Sequence, residues 1–415
     1  MRMEEPGLVE NPLLKLPRPI VESLFRYASE EAERAKRRIL KLVDSLKQLS
    51  ESRQFRDSLT KIGDGIEGNV VVADGSMSTA PSVRLGSAFG VYTAGYMVFE
   101  GKSLVDEGYY AASLSWTEPL RAFKFLLKLA MAFAERKAAL EAYYKHRNVD
   151  FIILDGPYFY FASLCRYIHG VRFDKPIEGF YSRSVIRTGE DLVKEIRDMT
   201  LELMETGKAV CIIRRSGGRA IDGWLLYNWG EEKCLGDRDK HILTMLMPPM
   251  AVWSYRKFLH GGSPFVYTRM YRLYMRRKYK GKPVDKGSVK GLIAAAKRTL
   301  KSIFEKDLLM DPGDIPRLER YYVRYSKTAP PFEVEVVEGT DVERFARLFV
   351  DFYNPATGLP FPLDLIDQAV SLPRGSTTAF TQEVEAHLIH DRDIEDKSAI
   401  SDYFTYLNPQ KEEYV

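Results

Sequence analysis

Apolar and polar positions follow two different periods along this chain. From about Ile20 to Arg56, the apolar residues Leu24, Tyr27, Ile39, Val43 and Leu46 stand apart among dense charge. That spacing predicts one long amphipathic helix, with Pro17 and Pro19 suited to its first turn. Asn69-Val-Val-Val-Ala-Asp74 is a β-branched run too apolar for an exposed edge. Ser87–Phe99 and Ser103–Ser115 are further strand-like runs, separated by the turn-like Glu100-Gly101-Lys102. A helical period extends from about Glu118 to Arg147, before a second buried-strand run, Val149–Asp155. A helix over Gly189–Thr206 and a third apolar strand, Ala209–Ile213, follow. The order β-β-β-α-β-α-β predicts an α/β fold: a mixed sheet flanked by helices.

Beyond Gly230 the pattern blurs. Phe265–Lys282 is aromatic and basic, and Ser288–Lys306 reads as helix. Tyr321–Ser326 and Phe332–Val337 read as strands, and Asp341–Tyr353 and Pro362–Leu372 as helices. The expected organisation is an N-terminal helical arm (1–65), a core (66–375) with a basic insertion at about 255–320, and a polar tail (376–415).

Composition narrows the class. The chain has 415 residues, 45% hydrophobic and 28% charged, which excludes a disordered or collagen-like chain. Its 61 Lys+Arg against 57 Asp+Glu leave a net charge of +4, so any basic surface must come from local clustering. Three cysteines without CxxC spacing argue against a disulfide framework or a structural zinc site and for a reducing, cytoplasmic setting. The charged, Pro-interrupted start is unlike a signal peptide, and no apolar stretch is long enough to span a membrane. Gln and Asn are scarce beside Lys, Arg and Glu, a weak sign of a hot habitat.

The chemistry is carried by acids at strand ends. Asp74 and Asp155 each close a very apolar run and each precede glycine. A central strand fixes the acid at its end, and the glycine lets the backbone turn and a ligand approach. One Asp-Gly alone is an ordinary turn. Two, at the ends of strands that become parallel neighbours, place two carboxylates at one sheet edge, where a hard divalent cation offsets their repulsion. Helical phase puts Glu141 on the line of Phe123, Leu127, Ala130 and Ala134, expected to face the sheet near Asp155, and turns Glu135 away. Arg214 and Arg215 end the third apolar strand. Alternation aims one of them at the carboxylates, where an arginine can hold phosphate; a solvated strand end is the competing reading.

Twelve Lys/Arg between Arg269 and Lys301 face a single acid, Asp285. Tyrosines are interleaved, so Tyr271, Arg272, Arg276, Arg277, Lys278 and Lys280 are candidates for single-strand nucleic-acid binding. A solvated helix face gives the same pattern. His387 and His390, close to Asp391 and Asp393, read as surface residues, and no Walker A loop, zinc-protease motif or nucleophile elbow is present.

Val-Val-Ala-Asp74-Gly-Ser, the long helix ending near Glu141, Ile-Ile-Leu-Asp155-Gly-Pro, Ile-Ile-Arg214-Arg-Ser and Gly358-Leu-Pro-Phe-Pro-Leu363 together resemble the NurA family of archaeal and bacterial nucleases. The resemblance spans most of 65–372 and rests on order and spacing. It implies a ribonuclease-H-like core, with which the βββαβαβ order agrees. It further implies a manganese-dependent nuclease (Mg²⁺ as substitute, two ions) that acts on DNA ends, including 5′-to-3′ resection, with single-strand endonuclease activity. The implied partners are DNA, a HerA-type hexameric ATPase translocase and a second copy in a homodimer whose helical arm shares those contacts. The implied metal ligands are Asp74, Glu141, Asp155 and Asp367, with Arg214 stabilising phosphoryl charge.

The sequence departs from the family twice. Arg214 stands where Lys is frequent, and Asp367 falls where the family's last motif has histidine; Asp364 is the alternative ligand, or the position is lost. A carboxylate also holds Mn²⁺. The rival expectations are a DNA-binding clamp on the same scaffold that has lost its metal, and an assembly adaptor without DNA affinity.

Overall fold

The computed structural model describes residues 11–78, 82–117, 122–182, 184–281, 286–391 and 393–406. By internal contacts the chain divides into two units, 1–56 and 57–415. In the first, Arg18–Glu51 is a single helix with Pro19 in its first turn, and Ile20, Leu24, Phe25, Ile39 and Val43 are exposed. No helix among the described residues is long and apolar enough to cross a membrane.

The larger unit is mixed α/β. Its strands are β1 (Leu59–Lys61), β2 (Asn69–Met77), β3 (Ser82–Val83), β4 (Ala88–Glu100), β5 (Ser103–Trp116), β6 (Phe151–Asp155), β7 (Arg172–Glu178), β8 (Val185–Thr188), β9 (Ala209–Ile213), β10 (Ala251–Ser254), β11 (Leu318–Arg324) and β12 (Phe332–Val337). Among the described residues, ten of these form one sheet in the order β1-β10-β11-β12-β9-β6-β2-β4, with β3 and β5 both on β4; β7 and β8 pair separately.

The expected β-β-β-α-β-α-β succession is the middle of this sheet. β2, β4 and β5 form an antiparallel meander, and β6 and β9 run parallel to β2. The continuation through β12, β11, β10 and β1 is antiparallel.

Alternation along the central strands divides the core into two layers. Val71, Ala73, Ile152, Leu154 and Cys211 pack under the Phe123–Lys145 and Gly189–Glu205 helices. Val70, Val72, Ile153, Val210 and Ile212 face the Val342–Leu348 and Phe361–Val370 helices. Both faces of the central strands are covered, which is why these runs are Val and Ile without alternation.

Three segments differ from expectation. The Phe123–Lys145 helix is buried on nearly every side, from Phe123 to Ala142, so no single stripe marks its inner face. Its expected start at Glu118 lies outside the described residues. The basic region forms two helices, Pro264–Tyr279 and Lys286–Ser302, with a small core of their own around Met270, Tyr271, Tyr274 and Leu292. The polar tail contains helices at Ser376–Ile389 and Lys397–Phe404, and the ring of Phe404 stacks on Phe89 of β4; 407–415 lie outside the described residues.

Candidate functional site

Register builds the site. β2 and β6 pair in parallel from Val70↔Phe151 to Ala73↔Leu154, so the next residues, Asp74 and Asp155, leave the ladder side by side. β6 pairs with β9 through Asp155↔Ile212, which brings Arg214 to the same edge. Parity sends Asp74, Asp155 and Arg214 to the face of the Phe361–Val370 helix. That helix supplies Asp367.

Arg214 ties the acids together. Its Nε donates to Asp155 Oδ1 at 3.0 Å and its Nη2 to Asp155 Oδ2, a bidentate fork. Nη2 also donates to Asp367 Oδ1 at 2.9 Å and lies 3.6 Å from Asp74 Oδ2. Against its partial burial, the bonds to Asp367 and Asp155 raise the guanidinium pKa. The hydrogen bond from Arg214 holds the Asp367 carboxyl below its usual range, assisted by a hydrogen bond with Asp74 and the charge of Arg215.

Asp74 is 3% exposed. Burial, and then the charges of Asp155 and Glu135, push its pKa well up, although Arg214 and the Gly75 N–H pull the other way. The Gly75 N–H donates to Asp74 Oδ1 at 2.7 Å.

The fourth acid is Glu135, which the helical phase had turned away. Glu135 is 2% exposed, forms an ion pair with the fully buried Arg136 and accepts from Tyr160 Oη at 3.1 Å. It comes close because residue 75 has no side chain: a Cβ there would lie 3.4 Å from Glu135 Cβ and 3.1 Å from Met131 Cγ. Burial raises the Glu135 pKa to about 7; Arg136 opposes this and Asp155 adds to it.

Glu141 corrects the expectation. Its carboxylate accepts from Tyr110 Oη on β5 and lies 3.8 Å from Lys137 Nζ, with the side chain 32% exposed. The two positions are six residues apart, about 9 Å along the helix. The phase arithmetic presumed a helix with one buried face. The signal it passed over is a Glu-Arg pair inside a run of Leu, Ala and Phe, since charges are buried only in pairs.

The two acids of the final motif have different partners. Asp364 accepts from Asn354 Nδ2 at 2.7 Å and Thr357 Oγ1 at 2.6 Å, inside its own loop, while Asp367 reaches Arg214.

Of the basic candidates, Tyr271 is corrected. Its ring is 3% exposed and its hydroxyl bonds to Asp222, so it cannot stack on a base; Tyr274 is likewise buried. Lys278 pairs with Glu231, and Arg272 Nη2 donates to Gly217 O at 3.0 Å. Arg276, Arg277 and Lys280 are exposed. Lys282 and Asp285 lie outside the described residues.

The donor set is entirely carboxylate, the hard oxygen chemistry that suits Mn²⁺ or Mg²⁺. The crowding of Asp74, Asp155 and Glu135 is the charge such a cation relieves, so these residues fit the ion. As arranged around the Arg214 guanidinium, no group of three or more His, Cys, Asp or Glu among the described residues is already spaced to hold a metal.

A mixed sheet with helices over both faces and acids at its parallel strand ends defines an α/β protein with a candidate acidic centre. No protein-family model matches the sequence, and no curated protein matches it. Among solved structures, the crystal structure of the NurA nuclease from Sulfolobus solfataricus is similar at 14% identity and a TM-score of 0.54, over 92% of this chain and 99% of that one. Another NurA crystal structure is similar at 12% identity and 0.46, over 89% and 99%. One bound to dAMP and manganese gives 12% and 0.44, over 88% and 98%. On the first of these, the chain has a NurA-like fold.

Proposed function

We propose that the protein is a metal-dependent nuclease that hydrolyses DNA phosphodiester bonds on a ribonuclease-H-like core. The observation that carries this reading is the in-register placement of Asp74 and Asp155 at adjacent parallel strand ends, joined by Asp367, Glu135 and Arg214. The strand order β5-β4-β2-β6-β9, with the first three antiparallel and the last two parallel to β2, supports the ribonuclease-H-like assignment.

Asp74, Asp155, Glu135 and Asp367 would hold Mn²⁺, with Mg²⁺ as substitute and two ions as the working count. The chemistry such a cation would supply is that of a Lewis acid toward the phosphoryl group and of a lower pKa for its water. The remaining work belongs to the chain. Arg214 presents a fixed guanidinium that binds phosphate oxygens in place of a carboxylate. Glu135 is held in place as a ligand by Tyr160 and the buried Arg136. Gly75 and Gly156 leave the strand ends uncluttered for the substrate backbone.

The finer reading follows the sequence resemblance: 5′-to-3′ exonuclease and single-strand endonuclease action at double-strand break ends, beside a HerA-type translocase, as a cytoplasmic homodimer. End-labelled DNA digested with Mn²⁺, Mg²⁺ or chelator, with and without a translocase, tests it. Asp74→Ala and Asp155→Ala are each expected to abolish cleavage while the protein stays folded; full activity in either sinks the assignment.

A second reading, a non-catalytic DNA clamp, is favoured by one feature: Arg214 already neutralises Asp155 and Asp367. It predicts salt-dependent DNA binding with labelled ends intact at every metal concentration.

A further inference from the structure

Two cavities share a wall directly beside the acidic cluster. The first, about 440 Å³, is lined by Phe159, Tyr160, Phe265, Ile303, Phe304 and Ser163 among others. Its volume is that of a small-molecule site, and its walls are aromatic. Tyr160 is the same residue that bonds Glu135, and Pro157 of its rim follows Asp155-Gly156. The chain winds as a π-helix over Ile303–Asp307, a local distortion frequent at binding sites, and its first two residues enter this cavity.

The second cavity, about 340 Å³, carries arginines among largely apolar walls. Arg215, one residue past Arg214, lines it together with Gly217, Gly218, Thr268, Arg269 and Arg272. Among the described residues, no carboxylate lies within ion-pair distance of Arg215, Arg269 or Arg272, and Arg269 Nε is buried without a partner. Burial and the charges of Arg269, Arg219 and Arg238 lower the pKa of Arg272, and the acid on this lining, Glu333, is taken up by Arg320. Pro157, Phe265, Leu300 and Arg320 belong to both cavities. At this shared wall Arg320 is neutralised by Glu333 and Glu335, its guanidinium 4.1 Å from the centre of the Phe265 ring.

An arginine pocket and an aromatic pocket joined end to end match the two halves of a nucleotide. We propose that this double cleft holds one unpaired nucleotide next to the scissile phosphodiester: its phosphate among Arg215, Arg269 and Arg272, and its base in the cavity walled by Phe265, Phe304 and Tyr160. A base still paired and stacked in a duplex cannot enter, so the cleft selects single strands. Walls with few polar groups stack any base, so sequence preference is weak. The inference deepens the nuclease reading and rests on it for the position of the scissile bond.

The test is equilibrium binding of the full chain in chelator, by fluorescence anisotropy. The probes are a labelled twelve-residue oligothymidylate, the same-length RNA, a duplex, and a backbone of abasic nucleotides. The wild type is expected to bind the single strands about tenfold tighter than the abasic backbone, the range for one stacked base. Ser163→Trp, an exposed position at the cavity, plugs the base pocket and is expected to erase that ratio while leaving the abasic affinity unchanged. Phe265→Ala, which removes a wall, also lowers the ratio. Arg269→Gln with Arg272→Gln is expected to weaken all probes alike and flatten the salt dependence by about 0.7 logarithmic units per lost phosphate contact. A ratio unchanged in both folded pocket variants, or an unchanged salt slope, overturns the proposal. Cleavage is scored separately with Mn²⁺: base-dependent binding without cleavage leaves the cleft standing and removes the nuclease, and cleavage with unaltered ratios does the reverse.

Discussion

Replacing Arg214 by methionine tests the acidic centre without touching any acid. The side chain keeps most of its length and loses three hydrogen bonds to carboxylates, two to Asp155 and one to Asp367. A hydrogen bond to a charged group contributes about 1.5–3 kcal/mol when shielded, and an exposed ion pair about 0–1 kcal/mol. Arg214 is 28% exposed, Asp155 22% and Asp367 47%, so the Asp367 bond belongs at the low end. We expect a loss of about 2–3 kcal/mol at pH 8 in chelator, because the remaining acids face one another. The sign with pH follows from proton binding. Without the guanidinium, Asp74, already raised, goes up further and Asp367 loses the bond that holds its carboxyl low, so the folded variant binds more protons than the folded wild type. The deficit is therefore smallest near pH 4 and grows as pH rises through the carboxylate range. Mn²⁺ at a hundred times its Kd returns about 2.7 kcal/mol if the acids take it up. Urea denaturation at pH 4.5 and 8, with chelator or Mn²⁺, measures all three. A deficit identical at both pH values and indifferent to Mn²⁺ refutes the electrostatic account of this site.

Other consequences follow from the same geometry. Glu135→Gln is expected to lower cleavage by about a hundredfold, because a charged ligand of the cation is lost, while Glu141→Gln stays within about twofold of wild type; digestion of end-labelled DNA compares them, and the opposite ranking restores Glu141. Gly75→Ala inserts a methyl against Met131 and Glu135 and is expected to cost about 1–3 kcal/mol by overpacking and to lower activity with it; a melting curve and cleavage rate equal to wild type would show that the close approach does not matter. Tyr271→Ala should destabilise by about 3–5 kcal/mol because a buried ring is lost, whereas Tyr279→Ala, at a 92% exposed position, should stay within about 0.5 kcal/mol. Comparable urea midpoints for the two would return Tyr271 to the surface.

The part of the molecule legible in the sequence is the part set by period and register. Val70 to Ala73 and Phe151 to Leu154 are apolar on both faces, and only central parallel strands require that. Asp74 and Asp155 were therefore visible as a pair. Glu135 was not, since hydrophobic phase carries no information on a helix buried all round; only its pairing with Arg136 marked it. Tyr271 was misread because its ring belongs to a 270/271/274 core stripe, which the surrounding charges masked. In the outer half of the sheet β11 and β12 were legible as strands, but the pairing was not, for a different reason. After β9 the chain leaves the sheet and returns at β10 to pair with β1 and β11, and short strands carry no mark of so distant a neighbour.

The parallel pairing of β2 and β6 has a practical corollary for protein engineering. The separation of the two acids is dictated by a backbone ladder, so nothing in the hairpin and helix threaded between them sets it. The Glu100–Ser103 turn, where Gly101 adopts a left-handed conformation at the surface, is accordingly a place to open the chain, graft a reporter or splice in another module. A version with an insertion there would keep its acidic rim in register, since that rim is assembled at the opposite end of the same strands.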